Sequence, residues 1–143
     1  MLATLNQQRS PFGLVVTGEA NNWRPALERI VGTRWLATYT VGSDRELLSV
    51  VESGVVDAAV LDDDAHRRPS VLHVMRSIRR LNASLPVVVV SERRDRRWLE
   101  DALQLAVFSV VAKPLELEEF LRQIRRMMMI RADRSLRGET GCQ

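Results

Sequence analysis

The sequence predicts an α/β domain built on a doubly wound, parallel, five-stranded sheet. Three observations carry this. Five short runs rich in β-branched and aromatic residues alternate with five stretches whose apolar residues recur at helical spacing. Two of the strand runs, DAAVLD and PVVVV, are apolar almost throughout, as strands covered on both faces are. The segments between strands are long enough for helical crossovers, which are right-handed and put helices on both sides of the sheet.

Phe12–Thr17 (FGLVVT) reads as the first strand, and Gly18 and Glu19 open a turn. Asn22 stands as the cap of a helix from Trp23 to about Val31, with Pro25 tolerated in its first turn. Ala26, Leu27, Ile30 and Val31 form its apolar stripe, and Gly32 ends it. Trp35–Val41 is the second strand. Ser43-Asp-Arg-Glu46 is a capping-box pattern, opening a helix through Leu47, Leu48, Val50 and Val51 that stops at Gly54. The third strand ends at Asp62, and residues 63–70 form a polar loop. Ser70 caps a third helix to about Leu81, with Val71, Val74, Met75, Ile78 and Leu81 inward. Pro86–Ser91 is the fourth strand. Asp95 caps a fourth helix, Arg96–Ala106, with Leu99, Ala102, Leu103 and Ala106 inward. Phe108–Ala112 is the fifth strand, and Leu117, Phe120, Leu121, Ile124 and Met128 mark a fifth helix. Met127, Met128 and Met129 close it; three in a row wrap around a helix, so at least one faces outward.

This divides the chain into a flexible N-terminus (1–11), one domain (12–130), and a polar tail or the start of a linker (131–143). With 143 residues, 45% hydrophobic and 27% charged, the chain reads as one globular domain with a real core. No apolar run approaches the ~20 residues of a membrane span, and the N-terminus lacks the apolar core of a signal peptide. Cys142 is the only cysteine, which excludes an internal disulfide and a thiolate metal cluster. The cytoplasm is the default location. The net charge of +3 is small and scattered, and the basic residues are arginines with one exception, Lys113.

The strand ends carry the chemistry. In an open parallel sheet, ligands sit beyond the carboxyl ends of the strands. Those ends bear Thr17-Gly18-Glu19, then Asp62 with Asp63 and Asp64, then Ser91, then Lys113-Pro114. Taken alone, the acidic run is a solvated turn. Taken together, an acid, a hydroxyl and an amine on neighbouring strand ends suit acyl phosphate formation: a carboxylate nucleophile, a hydrogen-bond donor and a counter-charge for phosphoryl oxygens.

On DAAVLD ending at Asp62, PVVVVS ending at Ser91 and AKP at Ala112–Pro114, the chain resembles the CheY-like receiver domain of bacterial two-component response regulators. The likeness covers roughly residues 12–130. It implies a (βα)5, flavodoxin-like sheet in the order 2-1-3-4-5. It implies Asp62 as phosphoacceptor, Ser91 as the hydroxyl that moves toward the phosphate, Lys113 as the family's lysine, and a cis Lys113–Pro114 bond. A histidine kinase or phosphotransfer protein would be the phosphate donor. No enzymatic activity is implied beyond self-phosphorylation and dephosphorylation at Asp62. A flavin is disfavoured, because the loop after the first strand lacks a Ser/Thr-rich phosphate cradle.

The resemblance breaks at defined positions. The family ends its first strand in an acidic pair that holds Mg2+; here Thr17 and Gly18 stand there. Asp62 and Asp64 remain as a weak, degenerate metal site, and Glu19 reads as a first-turn helix acid rather than a ligand. Val110 stands where an aromatic switch residue is usual, and His66, read as a solvated loop histidine, where proline is usual. The expected function is therefore a receiver impaired in Mg2+-dependent phosphorylation, or a phosphorylation-independent pseudo-receiver that binds proteins or dimerises. The family signals through its fourth helix, fifth strand and fifth helix. Here that face carries Arg93, Arg94, Arg96 and Arg97 around Trp98, against Glu116, Glu118 and Glu119, which suits a homodimer of complementary patches. A solvated charged face is the plainer alternative. Nucleic acid is disfavoured as a partner, because no stacking platform or recognition helix accompanies the arginines.

Overall fold

A computed structural model of the chain describes residues 10–141. Most of the segment read as a flexible N-terminus, and Cys142, lie outside the described residues. Five parallel strands are present: β1 (Phe12–Val16), β2 (Leu36–Thr40), β3 (Ala58–Asp62), β4 (Val87–Val90) and β5 (Ser109–Val111). Their order is β2-β1-β3-β4-β5, as the resemblance implies. The helices are α1 (Arg24–Ile30), α2 (Asp44–Ser53), α3 (Val71–Leu81), α4 (Arg96–Gln104) and α5 (Leu117–Gly141).

Side-chain alternation along each strand feeds two cores. Leu14, Val16, Ala58, Val60, Val88 and Val90 face α1 and α5, meeting Leu27, Phe120, Ile124 and Met127. Val15, Ala59, Leu61, Val87 and Val89 face the opposite layer, meeting Leu47 and Val51 of α2, Val74, Met75 and Ile78 of α3, and Trp98 and Ala102 of α4. All four residues of β4 are buried, so each valine contributes on the order of 1.5–3 kcal/mol of apolar burial.

The caps stand where the sequence puts them. Ser43 Oγ accepts from the Glu46 N–H, and Glu46 reaches back to the Gly42 N–H. Ser70 and Asp95 cap α3 and α4 through the His73 and Trp98 amides, and Gly54 ends α2 in the left-handed region at φ 81°.

Four expectations give way. Asn22 does not cap α1: a 3-10 turn, Gly18–Trp23, leads directly into it, with Pro25 in the first helical turn. Leu81 is exposed at the end of α3. In α4 the inward face is Trp98 and Ala102 with Leu99 and Leu105 beside them, while Leu103 is 71% exposed and Ala106 has left the helix at φ 58°. A tryptophan has far more apolar surface to bury than a leucine, and its burial turns the helix. Finally, α5 runs on to Gly141 through residues read as a polar tail. The arginines of that stretch hold it to the body: Arg131 bonds Asp57 and Ser10 and lies over the Phe12 ring, and Arg134 bonds the Ser84 carbonyl.

Arg79 closes the sheet end opposite the acidic rim. Its guanidinium donates to the carbonyls of Asn82 and Leu85 and to those of Leu105 and Ala106. Burial pushes its pKa down from the ordinary value. Lys113–Pro114 is cis, as expected, and so is Arg68–Pro69.

Candidate functional site

The site is built on the carboxyl ends of β1, β3 and β5. Asp62 is the last residue of β3 and is 3% exposed. Its backbone runs straight from a fully buried strand into a short 3-10 turn, Asp63–Ala65, which its own side chain caps. The carboxylate is held on both oxygens. Oδ1 takes the Lys113 ammonium at 2.7 Å and the Asp64 N–H at 2.9 Å, and Oδ2 takes the Glu19 N–H at 2.7 Å. Gly18 packs against the same carboxyl group. A Cβ there would lie 2.4 Å from both Asp62 Cβ and Oδ2, and its φ of 61° independently favours glycine.

Lys113 extends from the loop after β5 and its side chain is 10% exposed. Its ammonium meets three carboxylates: Asp62 and Asp64 at 2.7 Å each, and Glu19 at 3.6 Å. Burial works against its charge, but hydrogen bonds from it to Asp62 and Asp64, with their negative charge, outweigh this and hold its pKa above the ordinary lysine value. The same hydrogen bond and charge hold the exposed Asp64 below the ordinary carboxylate value. Glu19 does lie in the first turn after β1, yet it also ties down the β5 loop, because its Oε2 accepts the Leu115 N–H.

Ser91 follows β4 and is fully buried. Its hydroxyl donates to Asp63 Oδ2 at 2.8 Å and accepts from the Arg93 N–H at 3.0 Å. The structure therefore brings Asp62 and Lys113 into contact and leaves the Ser91 hydroxyl committed to the neighbouring acid.

His66 is not solvated. It is 5% exposed and paired on both ring nitrogens, Nδ1 with Asp44 Oδ1 at 2.7 Å and Nε2 with Thr17 Oγ1 at 3.0 Å. Thr17 Oγ1 also accepts the Asp62 N–H at 3.0 Å. With Nδ1 donating to Asp44 and Nε2 accepting from the Thr17 hydroxyl, hydrogen bonds run unbroken from α2 to Asp62. Sequence reasoning missed it. The available signal was topological: the order 2-1-3 brings the end of β1, the start of α2 and the loop after β3 together.

The donor set does not fit a divalent cation. Asp62 and Asp64 converge, as the expected weak metal site requires, but on Lys113. Mg2+ binds carboxylate oxygen at about 2.0–2.1 Å, and an ion shared by these two would have to compete with the ammonium that already neutralises both. Among the described residues, no cluster of three or more His, Cys, Asp or Glu side chains is arranged to hold a metal.

Six of the eight expected interface residues are exposed, and three of those six, Arg93, Arg94 and Arg96, are internally engaged. Arg93 pairs with Asp95, Arg96 with Glu100, and Glu119 with Arg122, while Arg94 bonds backbone carbonyls. Among the described residues, no ion pair is formed by Arg97, Glu116 or Glu118. Trp98 is removed from the interface: it is 5% exposed, inside the core, with Arg93 over its ring. Beside these residues, an open groove of about 410 Å³ is lined by Val110, Val111, Lys113, Pro114, Glu116 and Glu119.

The chain has the CheY-like fold of response regulator receiver domains. A receiver domain protein from Methanospirillum hungatei is similar over 87% of this chain and 98% of its own, with a TM-score of 0.72 and 11% identity. The beryllofluoride-activated NtrC receiver domain is similar over 84% and 95%, with a TM-score of 0.64 and 22% identity. A response regulator from Burkholderia pseudomallei, solved with a phosphorylated aspartic acid, a calcium ion and citrate, is similar over 88% and 74%, with a TM-score of 0.63 and 16% identity. No protein-family model matches the sequence, and no curated protein does. Among the described residues, no helix is long and apolar enough to cross a membrane.

Proposed function

We propose that this chain is a receiver-fold signalling module that works as a protein-binding unit without phosphorylation of Asp62. One observation carries the reading: both Asp62 oxygens are engaged, in a residue 3% exposed, so neither is presented to a phosphoryl donor. The Asp62–Lys113 pair acts instead as a clamp between the end of β3 and the loop after β5. That clamp fixes the position of the β5 edge, where the α4–β5–α5 face begins. A buried pair of this kind need not add net stability; its use is to hold one arrangement.

The competing reading is a phosphorylatable receiver taking phosphate from a histidine kinase or phosphotransfer protein. The contact between Asp62 and Lys113 at the strand ends favours it, because a counter-charge for phosphoryl oxygens is in place. Incubation with acetyl phosphate and Mg2+, followed by intact mass, separates the two. We expect no phosphate adduct; an adduct lost in Asp62→Asn overturns the pseudo-receiver reading.

The partner surface is the face around the groove, where Arg97 meets solvent on α4 and Glu116 and Glu118 on the approach to and first turn of α5. A second copy of the chain would set these opposite charges against each other. Sedimentation of the wild type and of Arg96→Glu/Arg97→Glu tests this: dimer and monomer, respectively, are expected. Equal association in both removes the homodimer.

A further inference from the structure

We infer that Lys113 is the built-in cation of this rim: its ammonium gathers Glu19, Asp62 and Asp64 as a divalent ion would, and keeps such an ion out. The inference deepens the pseudo-receiver reading.

Two independent features support it. The first is coincidence of position. Nζ lies 2.7 Å from Asp62 Oδ1 and from Asp64 Oδ2, and 3.6 Å from Glu19 Oε1. A metal coordinated by those oxygens, at about 2.0–2.6 Å for Mg2+ or Ca2+, would compete with the amine for the same carboxylates and lie a few Å at most from its positive charge. The second is the absence of room for another acid. Position 18 cannot present a carboxylate, since any Cβ there runs into Asp62, and the Thr17 hydroxyl is turned to His66 and the Asp62 amide. Positions 17 and 18 thus add no charge for a metal, and the carboxylates of the rim are gathered by one amine. A cluster of carboxylates around a single ammonium also explains why one lysine stands in a chain otherwise basic through arginine: a guanidinium is planar and forked, whereas an ammonium is compact enough to hydrogen-bond Asp62 and Asp64 at once with Glu19 3.6 Å away.

The wild-type protein offers a direct readout, because Lys113 carries the only side-chain amine in the sequence. Labelling with an amine-reactive ester, mapped by peptide mass, should be slow at Lys113 relative to the N-terminal amine. Added MgCl2 or CaCl2 should leave that rate unchanged. Acceleration by either salt would show that the metal displaces the lysine and would overturn the inference. In Lys113→Met the three acids lose their counter-charge. Calorimetric titration should then show Ca2+ binding about tenfold or more tighter than in the wild type, with a rise in Tm on adding the ion. Glu19→Gln in the Lys113→Met background should weaken the gain. Equal affinity in wild type and Lys113→Met overturns the inference; if that variant does not fold, the labelling experiment decides. Failure here leaves the acetyl phosphate result untouched, and an adduct there overturns the functional reading separately from the labelling outcome.

Discussion

Asp62→Asn removes one negative charge from the centre of the rim while keeping its shape. The asparagine side chain has one acceptor oxygen and one amide nitrogen, so only one of the two original acceptor positions survives. If the oxygen stays at the Oδ1 position, it keeps Lys113 and the Asp64 N–H, and the new amide faces the Glu19 N–H, donor against donor. A buried N–H left without an acceptor costs about 1–3 kcal/mol. The weakened contact with Lys113 adds to this. It remains well below the ~3–5 kcal/mol of a broken buried pair, because Asp64 and Glu19 still face the ammonium. The sum is about 2–4 kcal/mol of lost stability, a fall in Tm of roughly 10 °C for a domain of this size. Urea unfolding followed by circular dichroism measures it, with an unchanged m-value showing that the same surface is buried. A free, solvated nucleophile would tolerate the change. An Asp62→Asn midpoint within about 0.5 kcal/mol of wild type would therefore refute the closed-carboxylate argument.

Gly18→Ala forces a Cβ against Asp62 at a left-handed φ and should cost about 2–4 kcal/mol in thermal unfolding; a neutral result would mean the rim is looser than described. His66→Ala strips partners from Asp44 and Thr17 and should cost about 2–3 kcal/mol by urea titration, whereas a solvated histidine would cost almost nothing. Trp98→Ala should lose about 3–5 kcal/mol and Leu103→Ala less than about 0.5, and the reverse order would turn α4 around. The Lys113 pKa is higher in the folded chain than the ordinary 10.5, so its contribution is complete below that pH and fades only as pH rises through the folded value. The stability gap between wild type and Lys113→Met should thus hold steady from about pH 8 to pH 10 in urea titrations, and a decline inside that window would contradict the shift.

The fold was legible because strand and helix periods leave different marks. Val87–Val90 reads as a buried strand on composition alone, and Ser43, Ser70 and Asp95 mark helix starts by local chemistry. The Asp62–Lys113 meeting was legible too, since topology puts the ends of β3 and the β5 loop at one rim. What was hidden depends on contacts far apart in sequence. Asp62 and Asp63 are adjacent in sequence, and only the turn after β3 decides that Asp63 takes the Ser91 hydroxyl. His66 looks polar and loop-borne; its burial needs Asp44 and Thr17 from two other elements. The α4 stripe was read one residue off, because leucine and alanine spacing outvoted a single tryptophan. The reach of α5 rests on Arg131 and Arg134 finding Asp57, Ser10 and Ser84, contacts that no helical period announces.

Arg79 has a consequence for the far end of the molecule. Its four carbonyl partners belong to the segment just after α3 and to the one just after α4, both at the negative poles of those helices. One side chain thus terminates two helices, and lysine, with three donors and no fork, could not replace it. Unravelling of either terminus strands the guanidinium and loosens the other. Amide exchange in the last turns of α3 and α4 should therefore run on a common clock, and Arg79→Lys should speed both together while leaving α2 alone.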